Sequence, residues 1–204
     1  MCSVSTNHYF SDSGDSDLQL REIEVKLLGE KYQLVTSSGT FSPEHLDVGT
    51  EVLLRQLENV KPAGKILDIG CGWGPIALAI AKLSPEAKVT AIDVNRKCLE
   101  LTKQNAERIG VSNIEVLLPE DVPDNQLFDE IWSNPPIRVG KKVLHEILTL
   151  WLNRLSPKGT ARLVVQKNLG SDSLQKWLIA SFPNFETTRI DSIKGFRILK
   201  VTRS

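Results

Sequence analysis

With 204 residues, 41% of them hydrophobic and 25% charged, the chain is long enough to bury a substantial core and reads as an ordinary soluble globular protein. Lys and Arg together number 25, as do Asp and Glu, so the formal charge is zero and no global attraction to nucleic acid or to a membrane surface follows. Its three cysteines, Cys2, Cys71 and Cys98, form no CxxC pair, which argues against a disulfide framework and a zinc site and fits a reducing cytoplasm.

The opening MCSVSTNHYF has neither the basic start nor the apolar middle of a signal peptide, and residues 1–20 read as a flexible terminus rich in Ser and Asp. IEVKLL and KYQLVT then alternate on either side of Gly29-Glu30, which predicts a β-hairpin over 21–37. Ser37-Ser38-Gly39 turns the chain, and Thr50 is placed to cap a helix carrying Val52, Leu53 and Leu57. From Lys65 the rhythm is strand, helix, strand, helix. KILDI leads through a Gly-rich turn to the helix PIALAIAKL, in which Pro75 suits the first turn. That apolar stretch, the longest in the chain, is too short to span a bilayer. KVTAID precedes a helix ending near Gly110, and NIEVLL and FDEIWS are a third and fourth strand. KKVLHEILTLWLNRL is helical to Leu155, Ser156–Gly159 a turn, and ARLVVQ a fifth strand. After the helix DSLQKWLIASF, FETTRI and FRILKVT flank Lys194-Gly195 as an antiparallel pair. Such alternation implies a mostly parallel sheet of about seven strands with helices on both faces.

Ligands in such sheets bind beyond the carboxyl ends of the strands, and three strand ends carry unusual residues. In LDIGCGWGP, Gly70, Gly72 and Gly74 allow a sharp turn and close approach of a ligand to the backbone. Their spacing is not that of the dinucleotide fingerprint, and Asp68 before them would repel a pyrophosphate but suit an amine. The plainer alternative gives Asp68 a helix-capping role. Asp93 closes the second strand where a carboxylate can accept from both hydroxyls of a ribose; taken alone it would pass for a surface acid. Together with the glycine turn it points to a nucleoside. Asn134-Pro135-Pro136 ends the fourth strand. Two prolines remove two N–H donors and leave carbonyl acceptors, to which Asn134 adds its side-chain oxygen. That arrangement suits the grip of an NH₂ group and its presentation to an electrophile, with no metal required.

These residues together resemble the class I S-adenosylmethionine-dependent methyltransferases, and most of all the MTS-domain group that methylates the exocyclic N2 amine of guanine in ribosomal RNA (RsmC-type enzymes). The resemblance implies a Rossmann-like seven-stranded, mostly parallel sheet with an antiparallel last strand. It implies one methyltransferase domain over 21–204, with the hairpin 21–37 as an N-terminal extension. It further implies S-adenosyl-L-methionine as cofactor, held by Asp68, Gly70, Cys71, Gly72 and Gly74 at its amino-acid part and by Asp93 at its ribose. Thr50, within LDVGT, belongs to a family element near the methionine end. Either Glu120 or Asp121 would stand near the adenine amine, with Glu120 favoured. Asn134, Pro135 and Pro136 would face the target amine. Relatives acting on adenine N6 or on protein glutamine carry an aromatic residue after NPP; here Ile137 agrees with the guanine group.

Arg138, Lys141 and Lys142 follow as cations suited to RNA phosphates, in a position that otherwise opposes the helix dipole. His145, a turn further on, reads as structural. The partner implied is ribosomal RNA or the small ribosomal subunit, in the cytoplasm, with no membrane and no metal. Two other readings stay open: a protein or small-molecule N-methyltransferase with the same cofactor, favoured by the zero net charge, and a non-catalytic RNA-binding or assembly factor on the same fold.

Overall fold

The computed structural model describes residues 20–38 and 44–204. The flexible terminus expected over 1–20 falls, Leu20 apart, outside the described residues, as does Gly39 of the expected turn. Strands β1 (Leu20–Leu27) and β2 (Glu30–Ser37) form the hairpin, joined by Leu28 and Gly29 rather than by Gly29-Glu30. Both linking residues have positive φ, 52° and 88°, the geometry whose twist matches that of paired strands. Val25, Leu27, Leu34 and Val35 face inward and pack with Trp73, Leu101 and Ile109.

The main sheet holds β3 (Ala63–Ile69), β4 (Glu86–Ile92), β5 (Ile114–Leu117), β6 (Phe128–Ser133), β7 (Leu155–Gln166), β8 (Phe185–Ile193) and β9 (Phe196–Arg203), in the order β5-β4-β3-β6-β7-β9-β8. Its first five strands run parallel, and β9 lies antiparallel to both β7 and β8. This is the α/β, Rossmann-like sheet with an antiparallel last strand that the sequence implied. The chain steps outward from β3 to β5 and then returns to β6 on the other side of β3. A topological switch point therefore lies between β3 and β6, where such folds open a crevice.

Helices α1 (Val48–Leu54), α2 (Pro75–Leu83), α3 (Arg96–Ile109), α4 (Lys141–Leu152) and α5 (Ser171–Ser181) cover the two faces. Successive strand residues divide between two cores because side chains alternate across a strand. Ile66, Trp132, Val164 and Ile198 pack with the α1–α2 side, and Leu67, Ile131, Leu163 and Leu199 with the α4–α5 side. Below the β6 turn, the fully buried Glu130 accepts from the Lys61 N–H (3.1 Å) and the Trp132 indole (2.8 Å) and lies 3.5 Å from Arg162.

Two expectations about boundaries fail at one place. Helix α4 stops at Leu152, and Leu155, expected on its apolar face, instead opens β7. Ser156–Gly159, expected as a turn, is absorbed into that strand as a bulge between the pairs Phe128–Leu155 and Glu130–Thr160. A bulge and a turn call for the same residues: Lys158 has φ 62°, and a Cβ on Gly159 would lie 2.8 Å from the Ser156 carbonyl. Among the described residues no helix is long and apolar enough to cross a membrane, and no group of three His, Cys, Asp or Glu could hold a metal ion.

Candidate active site

At the end of β3, Asp68 is fully buried. Its Oδ2 accepts from the Ala77 N–H (3.0 Å) in the first turn of α2, while Oδ1 has no partner. Burial, with a smaller push from Asp93, raises its pKa to about 7 against the pull of the Ala77 amide. The capping role and a ligand role thus coexist on one carboxylate. One oxygen holds the helix, and the other is a buried acceptor awaiting a donor.

The glycine turn folds back on itself. Gly70 N–H and Cys71 N–H both donate to the Ile92 carbonyl (2.9 and 3.0 Å), and Gly72 N–H donates to Asp93 Oδ2 (3.0 Å). Gly70 and Gly72 sit at φ 72° and 59°, where a side chain is strained, and a Cβ on either would meet nothing within 4 Å. Open space therefore lies over both. From the other side α3 pins the turn: Thr102 Oγ1 donates to the Gly72 carbonyl and Asn105 Nδ2 to the Trp73 carbonyl, each at 2.9 Å. Asn105, fully buried, also exchanges two hydrogen bonds with the Val35 backbone and so locks the hairpin to the turn. Cys71 is buried 3.6 Å from Thr102 Oγ1, and burial pushes its thiol far above the usual range. It packs; it is no nucleophile.

Asp93 follows β4, partly buried. Oδ1 accepts from the Asn95 N–H (2.9 Å) and Oδ2 from Gly72. Burial raises its pKa in opposition to these amides. Each oxygen keeps a lone pair for a further donor. Glu120 and Asp121 are both exposed, in the short 3-10 turn Pro119–Asp121 beyond β5.

The β6 turn lies one strand spacing from the glycine turn. Ser133 pairs with Ile69 in the β3–β6 register, and its hydroxyl donates to the Ile69 carbonyl (2.8 Å). Asn134 Nδ2 donates to Asp47 Oδ2 (2.7 Å) and Thr50 Oγ1 (3.1 Å). With both amide protons engaged, Oδ1 remains as an acceptor. Asp47 Oδ2 also accepts from the Thr50 N–H (3.0 Å), which makes Asp47 the N-cap of α1. Thr50, expected to be that cap, is instead the third residue of the helix, and its hydroxyl holds Asn134. Pro136 adopts φ −73° and ψ 77°, so that Ile137 N–H folds back onto the Pro135 carbonyl at 2.8 Å. That carbonyl thus uses one of its two lone pairs and keeps the other.

Ile137 is partly buried against the α4–α5 core. Lys141 and Lys142 are exposed at the start of α4, whose first turn carries no acid; the Arg138 side chain lies outside the described part of the structure. His145 stacks on Trp177, 3.8 Å between centroids.

Sequence reasoning overlooked Asp47, Thr102 and Asn105. An Asp just before an apolar helix is a capping signal that would have found the first. Thr102 and Asn105, three residues apart on the buried side of α3, interrupt its apolar stripe with polar groups that must find partners.

The groups assembled here fit S-adenosylmethionine. Asp68 Oδ1 would take its ammonium, Asp93 its ribose hydroxyls, and the space over Gly70 and Gly72 admits a ligand against the backbone. Comparison with known proteins places the chain in a family. The family model described as the methyltransferase small domain matches residues 31–200. The uncharacterized protein YbxB of Bacillus subtilis is 32% identical over 201 residues, covering 97% of this chain and 99% of that protein. Ribosomal RNA small subunit methyltransferase C of Acinetobacter baylyi is 36% identical over 126 residues, covering 59% of this chain and 36% of that enzyme. The chain thus spans about a third of the length of that curated relative. Among solved structures, a T. thermophilus 16S rRNA N2 G methyltransferase (RsmC) in complex with AdoMet and guanosine superposes with a TM-score of 0.78 at 23% identity, covering 91% of this chain and 51% of that one. By the extent of the family match, this chain is a member of the methyltransferase small domain family.

Proposed function

We propose that the chain is an S-adenosylmethionine-dependent methyltransferase acting on the exocyclic N2 amine of guanine in RNA, with small-subunit ribosomal RNA as substrate. Residues 21–204 would form its single methyltransferase domain. The observation that carries the reading is the clamp on Asn134. Its NH₂ is held by Asp47 and Thr50, so its oxygen is a fixed acceptor one strand away from the glycine turn.

When bound, S-adenosylmethionine supplies a methyl group on a positively charged sulfur. Asn134 Oδ1 and the remaining lone pair of the Pro135 carbonyl accept the two N–H bonds of the target amine and hold its nitrogen toward that methyl. Asp68 and Asp93 position the donor. Positioning of this kind is worth several orders of magnitude in rate. Three features favour guanine in RNA: Ile137 in place of the aromatic residue of adenine-modifying relatives, the Lys141-Lys142 pair where a helix N-terminus favours anions, and the ribosomal RNA enzymes among the relatives. A base in paired RNA would have to flip out to reach the turn.

Purified protein given tritiated S-adenosylmethionine should label 16S RNA or small subunits, and nuclease digestion should return the label as N2-methylguanosine. Label in protein, or in a methylated adenosine, overturns the assignment.

A further inference from the structure

A cavity of about 250 Å³ opens between α4 and α5, beyond the ends of β6 and β7. Its walls include Ile137, Lys141, His145, Val165, Leu169 and Ser173. None of Asn134, Pro135, Pro136 or the glycine turn lines it, so it holds none of the acceptors of the proposed methyl-transfer centre. Yet Ile137 is the next residue after the NPP turn, so the cavity adjoins that centre directly.

Its chemistry is specific. Val165, Leu144 and Ile137 make an apolar interior with the exposed Leu169 at its edge, and His145, laid flat on Trp177 with 5° between the rings, stiffens one wall. The volume falls below the roughly 300–1,000 Å³ of pockets for drug-sized ligands, which suits a single flat ring system. The rim is cationic. Lys141 lines it beside the exposed Lys142, and α4 has no acid in its first turn. Asp172, the acid in the first turn of α5, is paired with Arg197 and Arg189. Flat, apolar-faced rings linked by anions describe a nucleic-acid strand.

We infer that this cavity receives the base of the nucleotide adjoining the methylated guanosine, with the phosphate between the two nucleotides near Lys141 and Lys142. This rests on the RNA reading above and adds to it a second base subsite. A flipped guanosine at the NPP turn would thus be accompanied by an unstacked neighbour, and target choice would depend on that neighbour.

The test uses a short RNA substrate and versions of it with an abasic residue on either side of the methylated guanosine. For the unaltered enzyme, one of the two abasic RNAs should raise KM roughly 5- to 100-fold, the effect of one base–protein stacking contact, with kcat nearly unchanged. Ser173→Trp and Leu169→Trp, both at exposed positions, should fill the cavity and raise KM for intact RNA to a similar degree. In those variants the abasic residue should add nothing, and the Kd for S-adenosylhomocysteine should stay unchanged. Abasic penalties that persist in both variants, variants with unaltered KM, or indifference to both neighbours would each overturn the subsite while leaving the RNA reading standing. An enzyme that methylates no RNA at all removes both.

Discussion

The turns that close β3 and β6 lie side by side and are built in opposite ways. In the first, glycines let the backbone coil tightly, and the N–H groups of Gly70 and Cys71 are consumed by the Ile92 carbonyl, that of Gly72 by Asp93 and that of Gly74 by the Cys71 carbonyl. In the second, prolines delete the N–H groups outright, and the next amide, that of Ile137, folds back onto Pro135. One turn hides its donors and the other lacks them. Both keep acceptor lone pairs: the buried Asp68 Oδ1 beside one turn and Asn134 Oδ1 in the other. Acceptors of this kind suit ligands rich in N–H, O–H or positive charge rather than a pyrophosphate. Each turn is also braced by a different helix, α3 for the glycines and α1 for Asn134, so the two halves of the site can be broken separately.

Asn134→Ala should break the β6 side alone. It removes the positioned acceptor and should lower kcat roughly a hundred- to thousandfold, by analogy with deleting one oriented group from a transition-state clamp. The Kd for S-adenosylhomocysteine, measured by calorimetry, should stay within about threefold. Loss of cofactor binding in this variant would mean that the two turns are not independent. Asn105→Ala should break the other side from behind. It leaves the Trp73 carbonyl and both Val35 backbone groups unpaired in the interior, a cost of about 3 kcal/mol in urea unfolding. Cofactor affinity should fall with it at a temperature where the variant is still folded, while KM for RNA barely moves.

The two turns differed in legibility. Asp68, the glycines and Asp93 stand within two short stretches, and the expectations placed on them follow from local rules: glycine tolerates positive φ, and an acid closing a strand of an open sheet is placed to accept from a ribose. What braces them is not local. Asn105 reaches Val35, 70 residues earlier, and Asn134 reaches Asp47, 87 residues earlier. No periodicity or spacing carries a contact of that range. The strand–helix rhythm and the antiparallel end of the sheet were readable because alternation and turn residues are short-range signals. The β7 bulge was not, because Ser-Pro-Lys-Gly is equally good chemistry for a turn, and only pairing with β6 decides between the two. The fold-back of Ile137 onto Pro135 was likewise hidden, since proline spacing says which donors are missing but not where the next one goes.

Asp68→Asn sharpens the comparison by pH. Burial holds the folded carboxyl at about 7, whereas a solvated aspartate titrates near 3.9. Between those values the folded protein keeps a proton that the unfolded chain gives up. Stability of the ligand-free protein must therefore decline as pH rises through that window and level off above it. The asparagine variant has no charge to bury, so at pH 8 it should be more stable than the unaltered protein by about 1–3 kcal/mol, a gain that vanishes near pH 4. Binding should move the other way. Affinity for S-adenosylhomocysteine should climb with pH to about 7 and then plateau, whereas the variant should bind about tenfold more weakly with a flat profile. A variant that gained stability without losing affinity would leave Asp68 with its capping role alone.

The smallest effect is the most discriminating. Gly49 lies in the first turn of α1, where alanine would ordinarily favour the helix by up to about 1 kcal/mol. Here a Cβ would stand 3.0 Å from Asp47 Oδ2, 3.0 Å from a ring carbon of Phe196 and 3.3 Å from Asn134 Nδ2. The helix would gain while the clamp is pushed apart by a few tenths of an ångström. Gly49→Ala should therefore leave the melting temperature within a degree or two, the two terms offsetting. It should still lower kcat about tenfold, because displacing Asn134 Nδ2 turns the carboxamide whose Oδ1 is proposed to align the amine. Cofactor affinity, assigned by the proposal mainly to Asp68, the glycine turn and Asp93, should change less than kcat. If kcat held while stability rose, the Asp47–Asn134 contact would be helix capping only, and the acceptor at the β6 turn would owe its aim to the prolines alone.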